Sequence, residues 1–458
     1  MTTAPRHTYA DIDRQRLKNL MQREQKKFVE ERPKSRALFE RAGKSLLGGV
    51  PMNWMKKWAG AFPPFVREAQ GAHFHDVDGH RYVDFCLGDT GAMTGHSPSA
   101  TVSAVQQQVA RGITLMLPSE DAVFVAEELQ KRFGLPFWQF ALTATDANRF
   151  SIRLARHITG RQKILVFNWC YHGTVDESFI TLKDGVSAAR RGNLGPPVDP
   201  TVTTKVVEFN DLEALEKALE PGDVACVLAE PALTNVGIVH PASGFHQAMR
   251  DLTRRYGTLL IIDETHTICA GPGGFTRAKN LEPDFLVFGK PIGGGVPGAV
   301  YGFTDYVADR ITERMNLEDC DTGGIGGTLA GNALSLAAMR ATLQKVLTKE
   351  AFDRMIPMAE RWTAGVQKVI DDFGVPWHVT RLGCRAEYLF AACEPRNGTE
   401  AHDAMDFDLE RFLHLYAMNR GILLTPFHNM ALMSPATETE DVDRHSKVFR
   451  EAVRELVG

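Results

Sequence analysis

Apolar positions along the chain fall into successive patterns. Leu17, Leu20, Met21 and Phe28 recur at roughly helical spacing among many charges, which predicts an amphipathic N-terminal helix, a surface arm without a catalytic part. From about residue 65 the spacing shortens to the strands of "FVREAQG" and "AHFHDVDGHRYVDF", with Asp78-Gly79 as a hairpin turn. Between about 120 and 305, helical segments alternate with short apolar runs: "KILVFN", "KVVEFN", "VACVLAEP", "GTLLIIDETHT", "FLVFGK" and "AVYGF". Continuous apolar runs of this kind are strands buried on both faces, and their alternation with helices predicts an α/β fold with a mostly parallel central sheet between layers of helix. After about 330 the chain becomes helix-rich ("LSLAAMRATLQKVL") and closes in an α+β pattern ("AEYLFAAC", "GILLTPF", "DVDRHSKVFREAVREL"), which predicts a smaller second domain. The expected division is 1–64 as a helical arm and pocket segment, 65–330 as the large α/β domain and 331–458 as the small one. The hairpin at 65–90 is expected to pack with the small domain.

At 458 residues the chain exceeds the usual size of one hydrophobic core. With 44% hydrophobic and 24% charged residues and a formal net charge of -4, it offers no footing for nucleic acid or an anionic membrane. Cys86, Cys170, Cys226, Cys269, Cys320, Cys384 and Cys393 are odd in number and include no CxxC pair, which reads as reduced thiols in a cytoplasmic protein. The N-terminal stretch is charged throughout, unlike a signal peptide, and no apolar run is long enough to span a bilayer.

Three core strands end in ionisable groups. "VLAE" stops at Glu230, "LLIID" runs into Asp263-Glu264-Thr265-His266, and "FLVFGK" stops at Lys290. Charge at the end of a buried strand is costly unless something there uses it, and α/β sheets collect their chemistry at the carboxyl ends of their strands. A lysine on the floor of a cleft with a carboxylate nearby is what Schiff-base chemistry needs: desolvation favours the neutral amine, and an aspartate keeps a pyridine nitrogen protonated. The glycine run after Lys290 lacks a dinucleotide fingerprint, because Pro291 and Pro297 interrupt it. His172 and His266 lie on separate segments without HExxH or cysteine pairs, so no metal site is expected.

These stretches carry a resemblance. "LLIIDETHTICAGPGGF" and "LEPDFLVFGKPIGGGVPGAVYGF" are similar to the cofactor-lysine region of the class III aminotransferases, pyridoxal-phosphate enzymes of fold type I. Within that family the chain most resembles the branch of glutamate-1-semialdehyde aminomutase and the β-amino-acid aminotransferases. The hairpin, "GHSP", "YHG" and "GTLAGNALSLAA" match further family segments, so the likeness covers nearly the whole chain. It implies that Lys290 binds pyridoxal 5'-phosphate as an imine and shuttles a proton, and that Asp263 pairs with the pyridine nitrogen. Tyr171 would stack on the ring, Thr265 would lie on its other face, His172 and His266 would stand beside it, and Glu230 would support it. Thr328 would reach the phosphate of a partner subunit in a homodimer. The phosphate cup departs from the family's Ser-Gly-Thr-Glu-Ala: here Thr143, Ala144, Thr145 and Asp146 keep two hydroxyls and a helix start but lack the glycine.

Where relatives carry an arginine for the substrate carboxylate, this chain reads "GGVPMNWMKKW" and "TPFHNMAL". The candidate pocket residues are Met52, Trp54, Trp169, Phe427 and His428, which suit a hydrophobic or aromatic amine. The expected activity is ping-pong transfer of an amino group from an amine or amino acid to a keto acid, aldehyde or ketone. An aminomutase or racemase of the same fold is the alternative, and a non-catalytic cofactor-binding protein a further one.

Overall fold

The helical spacing at residues 17 to 28 becomes the helix Arg14–Glu31, whose start is capped by Asp13: its carboxylate accepts from the backbone N–H groups of Gln15 and Arg16. The helix buries Leu17 and Phe28 and packs on the helix Phe407–Met418. Arg32 follows, wholly buried, with its guanidinium 4.4 Å from the Phe28 ring and its Nε donating to Tyr82 Oη at 3.0 Å. Strands β1 (Val66–Gln70), β2 (His73–Asp76) and β3 (Arg81–Asp84) pair antiparallel, and Asp78-Gly79 forms the turn between the last two. This computed structural model describes residues 12–315 and 323–458; Cys320 lies outside them.

The chain forms two compact units. The first comprises Met1–Asp89, Arg354–Glu394 and Ala404–Gly458, and the second Thr90–Asp353 with Pro395–Asp403. In the second unit, β4 (Phe137–Ala141), β5 (Lys163–Phe167), a separate β6–β7 hairpin (Ile180–Lys183, Val186–Ala189), β8 (Thr204–Val207), β9 (Val224–Ala229), β10 (Leu259–Asp263), β11 (Phe285–Phe288) and β12 (Ala299–Phe303) follow one another. Apart from the hairpin, they build one seven-stranded sheet in the order β4-β12-β11-β10-β9-β5-β8. Pairing is parallel from β11 through β10, β9 and β5 to β8, and antiparallel at β11–β12 and β12–β4. Every residue of β9, β10, β11 and β12 is buried, which is why those segments read as unbroken apolar runs. Strand β4 was not legible in the sequence: it is an edge strand in which exposed Phe137 and Gln139 alternate with buried Trp138 and Ala141. Two successive antiparallel pairings return β4 to the direction of β11. The carboxyl ends of β4, β5, β9, β10 and β11 therefore share one edge of the sheet.

The first unit is completed by β13 (His378–Leu382), β14 (Arg385–Leu389), β15 (Ile422–Leu423) and β16 (Met430–Leu432). Strands β13, β14 and β16 form an antiparallel sheet, while β15 adds parallel to β3 at the edge of the N-terminal hairpin. The final helix, Thr439–Val457, buries Val442, Val448, Phe449 and Val453, and His73 meets its Asp441 at 2.7 Å. Among the described residues no helix is long and apolar enough to cross a membrane.

Candidate active site

Strand β10 ends on Asp263, which is buried and holds three hydrogen-bond relations to the protein through its carboxylate. Its Oδ2 accepts from Asn148 Nδ2 at 2.8 Å and lies 2.9 Å from His172 Nδ1, while its Oδ1 accepts from Thr265 N at 3.0 Å. Asn148 comes from the helix Ala144–Thr159, and its amide also reaches the His172 carbonyl at 3.4 Å. Burial opposes the charge on Asp263, but the His172 ring and the Thr265 and Asn148 donors outweigh it and hold the carboxyl below its ordinary range. Burial likewise opposes a charge on His172, which the side chains of Cys170 and Asp263 overcome, raising it to about 10. The two side chains face each other as a hydrogen-bonded pair inside the unit.

One strand away, β9 runs into Glu230, buried, whose Oε1 accepts from Tyr171 N at 3.2 Å and whose Oε2 accepts from the backbone N and hydroxyl of Thr234. Burial pushes this carboxyl upward, against the pull of His172 and of these donors. Its hydrogen bonds tie the β5 loop carrying Tyr171 and His172 to the end of β9. Tyr171 is partly exposed and His172 is fully inside.

Strand β11 delivers Lys290 through Gly289. Lys290 takes φ 46°, in the left-handed region that a long side chain seldom adopts, and Nζ stands 2.8 Å from His266 Nε2. The other ring nitrogen of His266 is 3.0 Å from Thr90 Oγ1. A Cβ at position 289 would stand 3.2 Å from both Cβ and N of Ala144 and from Cβ of Ala299, so glycine here lets the lysine turn and the start of the Ala144–Thr159 helix approach closely.

The helix start is built by side chains that the sequence reading placed in the phosphate cup. Thr143 caps it, accepting from Asp146 N at 3.2 Å while its hydroxyl donates to Asp146 Oδ2 at 2.8 Å. Thr145 Oγ1 accepts from Thr174 N at 3.0 Å, and Gly173 between Tyr171 and that contact is at φ 72°, where a Cβ would overlap the Thr145 hydroxyl. The first backbone N–H groups of the sixteen-residue helix have no intrahelical acceptor, so they present a positive end to whatever occupies the edge.

These residues converge: Thr143, Ala144, Thr145, Tyr171, His172, Glu230, Asp263, Thr265, His266 and Lys290 all lie at the carboxyl ends of β4, β5, β9, β10 and β11. Trp169 is stacked on His402, with ring centroids 3.7 Å apart, and has the Arg190 guanidinium 5.6 Å from its ring. Thr328 is exposed in the second unit. Met52, Trp54, Phe427 and His428 belong to the first unit: the first two are largely exposed, Phe427 carries Lys57 Nζ 5.0 Å from its ring, and His428 is buried 3.1 Å from Glu387. Sequence reasoning missed Asn148, Thr90 and the hydroxyl–carboxylate contact of Thr143 with Asp146. The spacing of Asn148 five residues after the cap threonine was the available signal for one of them.

Residues 54–451 match the family model described as aminotransferase class-III. The chain belongs to the class III aminotransferases. Its architecture is that of the pyridoxal-phosphate-dependent enzymes of fold type I. Among solved structures, this family member is 50% identical to a lysine-to-alanine variant of a glutamate-1-semialdehyde aminomutase from Pseudomonas aeruginosa in complex with PMP, with a TM-score of 0.95 over 97% of this chain and 99% of that one. A β-phenylalanine aminotransferase from Variovorax paradoxus is 26% identical, with a TM-score of 0.84 over 96% and 97% of the two chains. A glutamate-1-semialdehyde 2,1-aminomutase of Desulfitobacterium hafniense is 32% identical over 92% of this chain and 98% of its own.

Proposed function

We propose that this class III enzyme binds pyridoxal 5'-phosphate at the carboxyl edge of the central sheet and moves an amino group within one substrate molecule, as an aminomutase. The observation that carries the cofactor assignment is the buried Asp263, held charged by His172, Asn148 and Thr265 at the end of one strand while Lys290 stands at the end of the next. The surroundings fit the group: Thr265 Oγ1 and Asn148 Oδ1 are buried beside the carboxylate and make no hydrogen bond in the protein, a mark of a polar partner at that place. When bound, pyridoxal 5'-phosphate supplies an aldehyde and an electron-accepting ring. The protein does the rest. Lys290 Nζ would hold the aldehyde and carry a proton to and from the substrate carbon; Asp263 would keep a negative charge beside the ring nitrogen, with Tyr171 and Thr265 flanking the ring. The hydroxyls of Thr143 and Thr145, with the N–H groups of the helix start, would hold the phosphate. Exposed Thr328 serves the phosphate of a partner subunit, and the exposed Ile113, Met116, Leu117 and Leu329 supply apolar surface for that homodimer.

Intramolecular transfer, placed second to transamination on sequence grounds, takes first place because the 50%-identical structure and the Desulfitobacterium hafniense relative are aminomutases. The substrate is then one that carries an amine and a carbonyl on neighbouring carbons, an amino aldehyde such as glutamate-1-semialdehyde. Transamination of a hydrophobic amine is the second reading, favoured by Met52 and Trp54 standing where relatives place a carboxylate arginine. The test is to give the cofactor-loaded enzyme glutamate-1-semialdehyde with no keto acid, and in parallel a panel of aromatic amines with pyruvate. Isomerised amino acid in the first vessel supports the aminomutase; amine consumption that requires the keto acid in the second, with none in the first, overturns it.

A further inference from the structure

Lys290 can work on a carbonyl only after its ammonium loses a proton, and the structure puts a specific acceptor next to it. Nε2 of His266 is 2.8 Å from Lys290 Nζ, and Nδ1 of the same ring is 3.0 Å from Oγ1 of Thr90, which is fully buried. Both ends of this chain of contacts are set by unusual backbone. Thr90 has φ 82° and Lys290 φ 46°, and a β-branched residue in that region persists only where its surroundings impose it. The two carboxylates beside His266 on its own strand end are engaged elsewhere: Asp263 with His172, Asn148 and Thr265 N, and Glu264 with Thr267, Phe275 N and Thr276 N. His266 is a titratable side chain set against the amine, at 2.8 Å.

Resting on the reading of Lys290 as the cofactor lysine, we propose that His266 is a catalytic base for Lys290. The Nζ–H bond breaks, its electron pair stays on Lys290 as the nucleophilic lone pair, and the proton passes to His266 Nε2. Nδ1–H donates to the Thr90 hydroxyl, which fixes the tautomer whose Nε2 lone pair faces Lys290 Nζ and then shares the charge of the imidazolium. Thr90 is a positioning residue. The return of the same proton from Nε2 restores the ammonium once the amine is released.

The experiment measures the rate at which pyridoxal 5'-phosphate attaches to protein stripped of cofactor, at constant neutral pH, from the visible band and its borohydride trapping; turnover is not the readout. Glutamine at 266 accepts a hydrogen bond but cannot take a proton, so His266→Gln is expected to slow attachment at least about tenfold, toward the 10²-fold that a positioned base supplies. His266→Ala is slowed likewise and is restored by added imidazole. Thr90→Val slows attachment severalfold while Thr90→Ser keeps the wild-type rate, and this pair carries the test should the His266 variants melt early. Attachment by His266→Gln at the wild-type rate, a slow His266→Ala that imidazole leaves slow, or equal rates for the two Thr90 variants would overturn the base. Wild-type protein that takes up no cofactor would instead overturn the proposed function, and this inference with it.

Discussion

At the residue scale the site depends on a few buried polar contacts whose removal has separable effects. Lys290→Ala is expected to lower turnover by roughly 10²–10⁴-fold or more, because the proton carrier is gone, while thermal melting stays near wild type. Undiminished turnover would refute the assignment of the lysine. Asn148→Ala removes one of the donors that hold Asp263 charged, a contact to an ionised group of the kind that contributes about 1.5–3 kcal/mol. The expected result is a fall of about tenfold or more in kcat at saturating cofactor, with KM little changed, read from steady-state kinetics. Lys290 and Asp263 were legible in the sequence because each ends a continuous apolar run, where a charge has no structural reason to be. Asn148 was not, because a polar residue in the first turns of a helix looks the same whether it faces water or a buried carboxylate.

At the element scale, the join between the end of β11 and the start of the Ala144–Thr159 helix is a close constraint on the cofactor edge. The chain carries alanine where the family's cup has glycine, and the glycine across from it at 289 is what leaves room for that methyl group. Gly289→Ala is therefore expected to overpack the join by about 1–3 kcal/mol, seen as a lower melting temperature and weaker retention of cofactor. Adding Ala144→Gly should recover only part of the loss, because the new methyl would still press on Ala299. Full recovery, or no loss in the single variant, would show that the join is not close-packed. The parallel strands were readable from their unbroken apolar runs. Strand β4 was not, since an edge strand with alternating burial carries a pattern that a loop or a short helix also shows.

At the scale of the whole molecule, one buried histidine contributes to the response to acid. His445 of the helix Thr439–Val457 lies among Trp362, Phe85 and Phe449, and burial alone pushes its pKa down to about 3. The unfolded chain takes up a proton at this residue as pH falls below about 6.5, whereas the folded chain does not until about 3. The contribution of this residue to stability therefore falls as pH drops from about 6.5 toward 3. His445→Phe keeps a ring in the aromatic cluster and removes the proton uptake, so its melting temperature should decline less than that of the wild type between pH 6.5 and 4.5. Parallel decline of the two proteins would refute this account. Nothing along the chain signals it, because a histidine in an amphipathic helix shows its face only when its neighbours from other segments are in place.

The sequence by itself determined the fold class, through periodicity and unbroken apolar runs, and put Asp263 and Lys290 where buried strands end; the family it carried through the resemblance of its motifs. Only the tertiary structure decided that Asp263 is held by His172 and Asn148, that Lys290 meets His266 backed by Thr90, and that Gly289 makes room for Ala144. Each of those contacts joins segments from 24 to more than 170 residues apart. Their energies are set by burial and by distances of about 3 Å, which the order of residues along a chain does not contain.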